Sequence, residues 1–147
     1  AVNATGPFCM ARAAVGQMIA QGWGRVIGVT TSLDTMIRDI PYGPTKATHE
    51  ALVATMAKNL EGTGVTSNAL LPGGGTNTMF VDRESGRDLS KLIQPEVMGP
   101  PAVWLASPAS DGFNGLRIVA AEWDDNLMVE DNLKKASAPA AWPQLGR

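Results

Sequence analysis

At 147 residues the chain has the length of one domain, long enough to bury a core, and its 44% apolar and 18% charged residues are an ordinary globular balance. A formal net charge of -2 and a pI near 5.3 offer no basic surface for nucleic acid or acidic lipid. The single cysteine excludes an internal disulfide, and the chain lacks the run of about 20 apolar residues that would span a bilayer. The expectation from these features is a cytoplasmic protein with neither nucleic-acid nor membrane partners.

Taken in order, Val2 to Gln21 carries apolar residues at Met10, Ala14, Val15, Met18 and Ile19, which is helical spacing, with Gln21-Gly-Trp-Gly24 as the stop. It opens without a clear cap, so the chain reads as beginning inside an element. Asn3 suits a helix cap, and Cys9 suits a small buried apolar position. Arg25-Val-Ile-Gly-Val-Thr-Thr31 is a short β-branched run ending in hydroxyls and reads as a buried parallel strand. A loop is expected from Ser32 to Pro41. Pro44, tolerated only in a first turn, then sets a helix from about Gly43 to Leu60, with Ala47, Ala51, Leu52, Ala54, Thr55, Met56 and Leu60 as its apolar set and Lys58 and Glu61 on the wet side. His49, the chain's one histidine, has no ligand companions at metal spacing and reads as structural.

That helix carries the pattern with chemical content. Tyr42, the one tyrosine, precedes Lys46 by four positions, which puts phenol and ammonium on one helical face. A nearby ammonium and the helix N-terminus both favour phenolate, so a tuned Tyr42 can act as general acid or base. Beyond Glu61-Gly-Thr-Gly64, Val65 to Leu71 is the second strand, followed by the glycine-rich Pro72-Gly-Gly-Gly-Thr-Asn-Thr78. Phe80 to Ser90 is polar and reads as a surface loop. Pro95 to Ser107 reads as a helix, Leu116 to Trp123 as the last strand, and Asp124 to Arg147 as an extended arm, a loose tail being the more frequent outcome for such a segment and docking of Trp142 on a neighbouring subunit the alternative.

A strand ending in hydroxyls, then Tyr-Gly-Pro-Thr-Lys-Ala, a helix, a strand and Asn68-Ala-Leu-Leu-Pro-Gly73 resembles the short-chain dehydrogenase/reductase family over about residues 1–124. The resemblance implies an α/β fold, a partial doubly wound Rossmann-type parallel sheet of about three strands with flanking helices. It divides the chain into a catalytic portion, 1–124, and a C-terminal extension, 125–147. It implies NAD or NADP as cofactor, a small carbonyl or alcohol substrate and a homo-oligomer built on paired helices. The family's glycine-rich dinucleotide turn is not found in these residues, so against the family pattern the chain lacks the N-terminal half.

By the same resemblance Asn3, in a Val-Asn-x-x-Gly pattern, binds a water linked to Lys46. Tyr42 exchanges a proton with the substrate oxygen, and Lys46 lowers its pKa and holds the nicotinamide ribose. The substrate-binding hydroxyl falls on Thr31 by the Asn-x-Ser-Ser pattern, with Ser32 beside it; Ser32 is the first choice and Thr31 the second. Pro72, Gly73, Gly75 and a following threonine, Thr78 ahead of Thr76, contact the nicotinamide, and the Phe80 to Ser90 loop serves as a lid. The expected activity is carbonyl–alcohol interconversion. The alternative is an inactive fragment or scaffold that self-associates through an exposed strand edge without binding cofactor.

Overall fold

The computed structural model describes residues 1–84, 86 and 88–143. Helix α1, Thr5–Gln21, ends where Gly22 turns left-handed at φ 69° and its N–H returns to Ile19. Strand β1 is Gly24–Val29, α2 is Leu33–Arg38, α3 is Tyr42–Asn59 and β2 is Val65–Leu71. After a long loop come α4, Gly99–Leu105, β3, Leu116–Val119, α5, Val129–Ala136, and β4, Ser137–Pro139.

The sheet order is β1-β2-β3-β4, with β1, β2 and β3 parallel and β4 antiparallel to β3. Val29 stands opposite Leu70 and Leu71 opposite Val119, so the ends of all three parallel strands come level. Successive side chains of β2 serve opposite faces. Ala69 packs with Val53 and Ala140 on the α3 side, while Leu70 joins Leu105, Ile118, Ala120 and Ala136 on the α4 side. Every residue of β2 is buried, as a central parallel strand covered by helices on both faces requires. Its polar Asn68 is satisfied by β3 and the turn before it: Nδ2 donates to the Phe113 carbonyl and Oδ1 accepts from Leu116 N–H. The α/β, Rossmann-type reading and the three parallel strands are therefore found as expected.

Six local expectations are corrected. The segment after β1 is a helix, not a loop: Ser32 Oγ caps it by accepting from Thr35 N–H, and Asp34 and Arg38 pair one turn apart at 2.9 Å. The buried face of α3 is Gly43, Lys46, His49, Glu50, Val53 and Ala57, whereas Ala51 and Thr55 of the expected apolar set are exposed. Pro100 and Pro101 lack amide hydrogens, and the helix expected from Pro95 divides into a 3₁₀ turn, Pro95–Met98, and α4. Strand β3 stops at Val119, and Ala120–Glu122 makes a 3₁₀ turn. Residues 129–139 form α5 and β4, and Trp142 lies against Arg117 of its own chain; residues 144–147 of that segment lie outside those described. Cys9 is exposed.

Candidate active site

A cleft of about 890 Å³ opens at the carboxyl ends of β1 and β2, where ligands bind in open α/β sheets. Its walls include Thr31, Tyr42 and Lys46 on one side and Pro72, Gly75 and Thr78 on the other. Six of the nine residues expected to form the site thus meet in one cavity. Thr76, the alternative to Thr78, lines it too. Its hydroxyl donates to Gly74 O at 3.1 Å, whereas Thr78 Oγ1 accepts from Phe80 N–H at 3.3 Å.

Lys46 is buried, and its Nζ donates to the Val29 carbonyl at 2.8 Å, which ties α3 to the end of β1. The same Nζ stands 5.7 Å from the Tyr42 ring centre. Burial pushes the Tyr42 phenol above its ordinary range, and the Asp39 carboxylate adds to this; burial pushes the Lys46 ammonium below its range. The net direction at Tyr42 is upward, set by burial first and Asp39 second.

Three expected residues stand outside the cleft lining. Ser32 is used as the α2 cap, its Oγ also 3.1 Å from Thr35 Oγ1. Asn3 Nδ2 donates to Thr45 Oγ1 at 3.1 Å, and that hydroxyl donates to the Tyr42 carbonyl at 2.6 Å. Asn3 is thus linked to the start of α3 and not to α1, whose N-cap residue is Ala4. Gly73 turns away at φ 105°, where a Cβ would lie 2.9 Å from Val119 Cγ1, so only glycine lets the loop pass so close to β3.

The sequence reading missed four residues here. Phe80 stacks on Tyr42 with ring centres 5.1 Å apart although it is 76% exposed. It belongs to the expected lid segment, in which Ser85 and Arg87 lie outside the described residues. Asp39 acts on Tyr42 from the end of α2, so finding it required finding α2. Arg117 Nη2 donates to the Thr31 carbonyl at 3.1 Å, and fully buried Glu50 accepts from Thr30 Oγ1 at 3.0 Å. A charge inside the apolar run Leu116-Arg117-Ile118-Val119 was the available signal. His49 is buried over β1 with its Nδ1 unpartnered, and burial followed by Lys46 pushes its pKa down. Among the described residues there is no cluster of three metal-ligating side chains and no helix long and apolar enough to cross a membrane.

A short chain dehydrogenase family model matches residues 1–88. NADPH-dependent aldehyde reductase 2, chloroplastic, of Arabidopsis thaliana is 32% identical over 130 residues, 81% of this chain and 48% of that protein. L-rhamnose-1-dehydrogenase of Scheffersomyces stipitis is 30% identical over 144 residues, 87% of this chain and 54% of that protein. Among solved structures, a gluconate 5-dehydrogenase from Burkholderia cenocepacia in complex with NADP and tartrate superposes with a TM-score of 0.68 at 27% identity, covering 81% of this chain and 52% of that one. The chain spans about half the length of the curated relatives it matches. With the sheet, the cleft and the Tyr42–Lys46 pair in the family's order, the chain belongs to the short chain dehydrogenase family.

Proposed function

We propose that this chain carries the proton-transfer half of an NAD(P)-dependent oxidoreductase that interconverts a carbonyl and an alcohol. The observation that carries the reading is the meeting of Tyr42, Lys46 and Thr31 in one cleft with the Pro72 to Thr78 loop. Tyr42, kept protonated by its surroundings, gives its phenolic proton to the carbonyl oxygen. Thr31, which lines the cleft, donates a hydrogen bond to that oxygen as negative charge develops on it. Ser32, occupied as a cap, is given no part in this step. Lys46 holds the end of β1 against α3 and supplies the positive charge beside the phenol.

The residues at the nicotinamide end fit the cofactor: a wall of glycine at Gly74 and Gly75 leaves backbone facing the cleft between Pro72 and Thr78. Tyr42, Lys46, Pro72, Gly75 and Thr78 are assigned to hold that end, with Gly73 making the turn that brings the loop against β3, and the bound cofactor supplies the hydride. Residues for the pyrophosphate are not among the 147, since no Gly-x-Gly-x-x-Gly turn occurs in them. The names of the Arabidopsis reductase and the Burkholderia complex make NADPH the first cofactor to test and aldehydes the first substrates. The proposal keeps a small-molecule substrate, assembly as a homo-oligomer, a cytoplasmic setting and residues 125–147 as an extension to the catalytic portion.

A second reading rests on the sheet order. Among the described residues β1 pairs only with β2, so its other edge is open and can pair with another chain. On that reading the chain is a scaffold that self-associates without cofactor. Fluorescence titration with NADPH and NADH separates the two, followed by a carbonyl panel with Tyr42→Phe. Saturable binding and turnover abolished by Tyr42→Phe support the oxidoreductase. Absence of binding at millimolar cofactor, with concentration-dependent association, supports the scaffold.

A further inference from the structure

The fully buried carboxylate of Glu50 lies one α3 turn beyond Lys46 and belongs to neither the proton path nor the cofactor wall. Its Oε2 accepts from Thr30 Oγ1 at 3.0 Å, and its Oε1 accepts from Ala141 N–H at 3.3 Å. Arg117 of β3 faces the same Oε1 at 3.4 Å, an ion pair whose Nε–H is not aligned as a hydrogen bond. The guanidinium also donates from Nη2 to the Thr31 carbonyl and stands 5.6 Å from the centre of the Trp142 ring. One buried arginine therefore touches α3, the end of β1 and the C-terminal segment.

Two features say that this contact holds the segments in place and is not incidental. Thr30 is the last residue of β1's side of the sheet to bond β2, its N–H donating to the Leu70 carbonyl at 3.0 Å. Past that point the Thr31 carbonyl is fixed by Arg117, so the arginine sets where the Thr31 hydroxyl stands. At the other end, Ala141 and Trp142 are non-glycine residues at φ 59° and 49°, and Trp142 Nε1 is buried without a partner. Consecutive left-handed residues and an orphaned donor are unfavourable, so the pose depends on the Glu50 and Arg117 contacts that accompany it.

We propose that Arg117, clamped by Glu50, is a positioning residue that places Thr31 in the cleft and couples that placement to docking of the C-terminal segment at Ala141 and Trp142. The role given to the Thr31 hydroxyl rests on the proposed oxidoreductase reading; the mechanical coupling does not.

Hydrogen exchange on the full chain tests it, comparing wild type with Arg117→Met, Arg117→Lys and Trp142→Ala. Arg117→Met is expected to speed exchange in residues 30–36 and 138–142 by about tenfold while β2, residues 65–71, keeps its protection. Arg117→Lys retains a charge for Glu50 without the second donor, so it loosens 30–36 and spares 138–142. Trp142→Ala speeds both segments to a smaller extent. Where turnover is measurable with NADPH and an aldehyde, Arg117→Lys lowers kcat by about tenfold with KM nearly unchanged. Equal acceleration across 65–71, or unchanged exchange in 30–36 for Arg117→Lys and Trp142→Ala, overturns the proposal. If Arg117→Met does not fold, those two variants decide. A wild-type chain that binds no NADPH at millimolar concentration and self-associates supports the scaffold reading and leaves the exchange result to decide the coupling.

Discussion

The same substitution at two glycines should change stability in opposite directions. A Cβ at Gly43 would lie 2.3 Å from Met36 O and 2.8 Å from Thr35 O, both backbone atoms at the end of α2. Carbon contacts settle at about 3.5–4.0 Å, so α2 must retreat from α3 by roughly 1 Å. It cannot do so freely, because Gly43 N–H donates to Asp39 O across the same junction at 2.5 Å. Overpacking of this kind costs about 1–3 kcal/mol, and the gain in helix propensity of alanine over glycine returns at most about 1 kcal/mol. Gly16, inside α1, has nothing within 4 Å of its would-be Cβ and keeps the propensity gain in full. Urea unfolding should therefore show Gly43→Ala less stable than wild type by about 1–2 kcal/mol and Gly16→Ala more stable by about 1 kcal/mol. At about 2–4 °C per kcal/mol for a chain near this size, the melting temperatures should separate by roughly 5–10 °C. Gly43→Ala equal to or more stable than wild type would refute the reasoning that the α2–α3 junction, and with it Tyr42, is fixed by backbone contact.

Asp39→Asn removes the second cause that raises the Tyr42 pKa, so the phenol should ionise at lower pH; with one tyrosine in the chain, near-ultraviolet absorbance follows it directly. Because the folded pKa lies above the ordinary value of 10.0, the associated stability is present below pH 10.0 and lost as pH rises through the folded pKa. Asp39→Asn narrows the gap between the folded and ordinary values, so that loss should become smaller and alkaline unfolding should move to higher pH. Ser32→Ala should cost about 1 kcal/mol through the lost α2 cap, while Thr31→Val should leave stability nearly unchanged and lower kcat by about a hundredfold. A larger activity loss in Ser32→Ala than in Thr31→Val would return the substrate hydroxyl to Ser32. Leu70→Ala, at a side chain 2% exposed between β1 and β3, should destabilise by about 2–5 kcal/mol in urea unfolding.

The fold was legible where one physical signal dominates. The β-branched run from Arg25 and the stretch Val65–Leu71 are both strands, β2 buried throughout and β1 half-buried and exposed at Val29, and glycine-rich turns bound the helices beside them. Local signals also gave the Tyr42–Lys46 face. The sequence reading failed where polarity and burial part company. On α3 the buried stripe includes Lys46, His49 and Glu50, which periodicity of apolar residues cannot reveal; Lys46 and Glu50 are buried against partners far off in the chain, Val29 for the first and Thr30, Arg117 and Ala141 for the second. The C-terminal segment shows the same thing. Ser137 to Pro139 looks like arm sequence, and only the open edge of β3 makes it a strand. The α2 helix was recoverable from its Ser32 cap and the Asp34–Arg38 spacing, but a six-residue element gives periodicity too little room to register.

The charge balance of the cleft follows from the same separation between local spacing and long-range packing. Spacing of four residues puts Tyr42 and Lys46 on one face, yet it does not decide which proton state they hold. That depends on how much water the cleft excludes and on which other charges reach it. Lys46 directs its Nζ hydrogen bond to the Val29 carbonyl, Asp39 adds a negative charge at the end of α2, and Phe80 covers the phenol ring. Burial and Asp39 hold the tyrosine neutral, the form that the proposed reading needs to donate a proton to a carbonyl oxygen. In the oxidative direction the proposed reading needs the phenolate, and the Lys46 ammonium beside the ring is the group that favours it. Replacing Asp39 should thus move the pH dependence of both directions to lower pH while their kcat/KM ratio stays fixed by the reaction's equilibrium constant, a shift that the Tyr-x-x-x-Lys pattern alone does not contain.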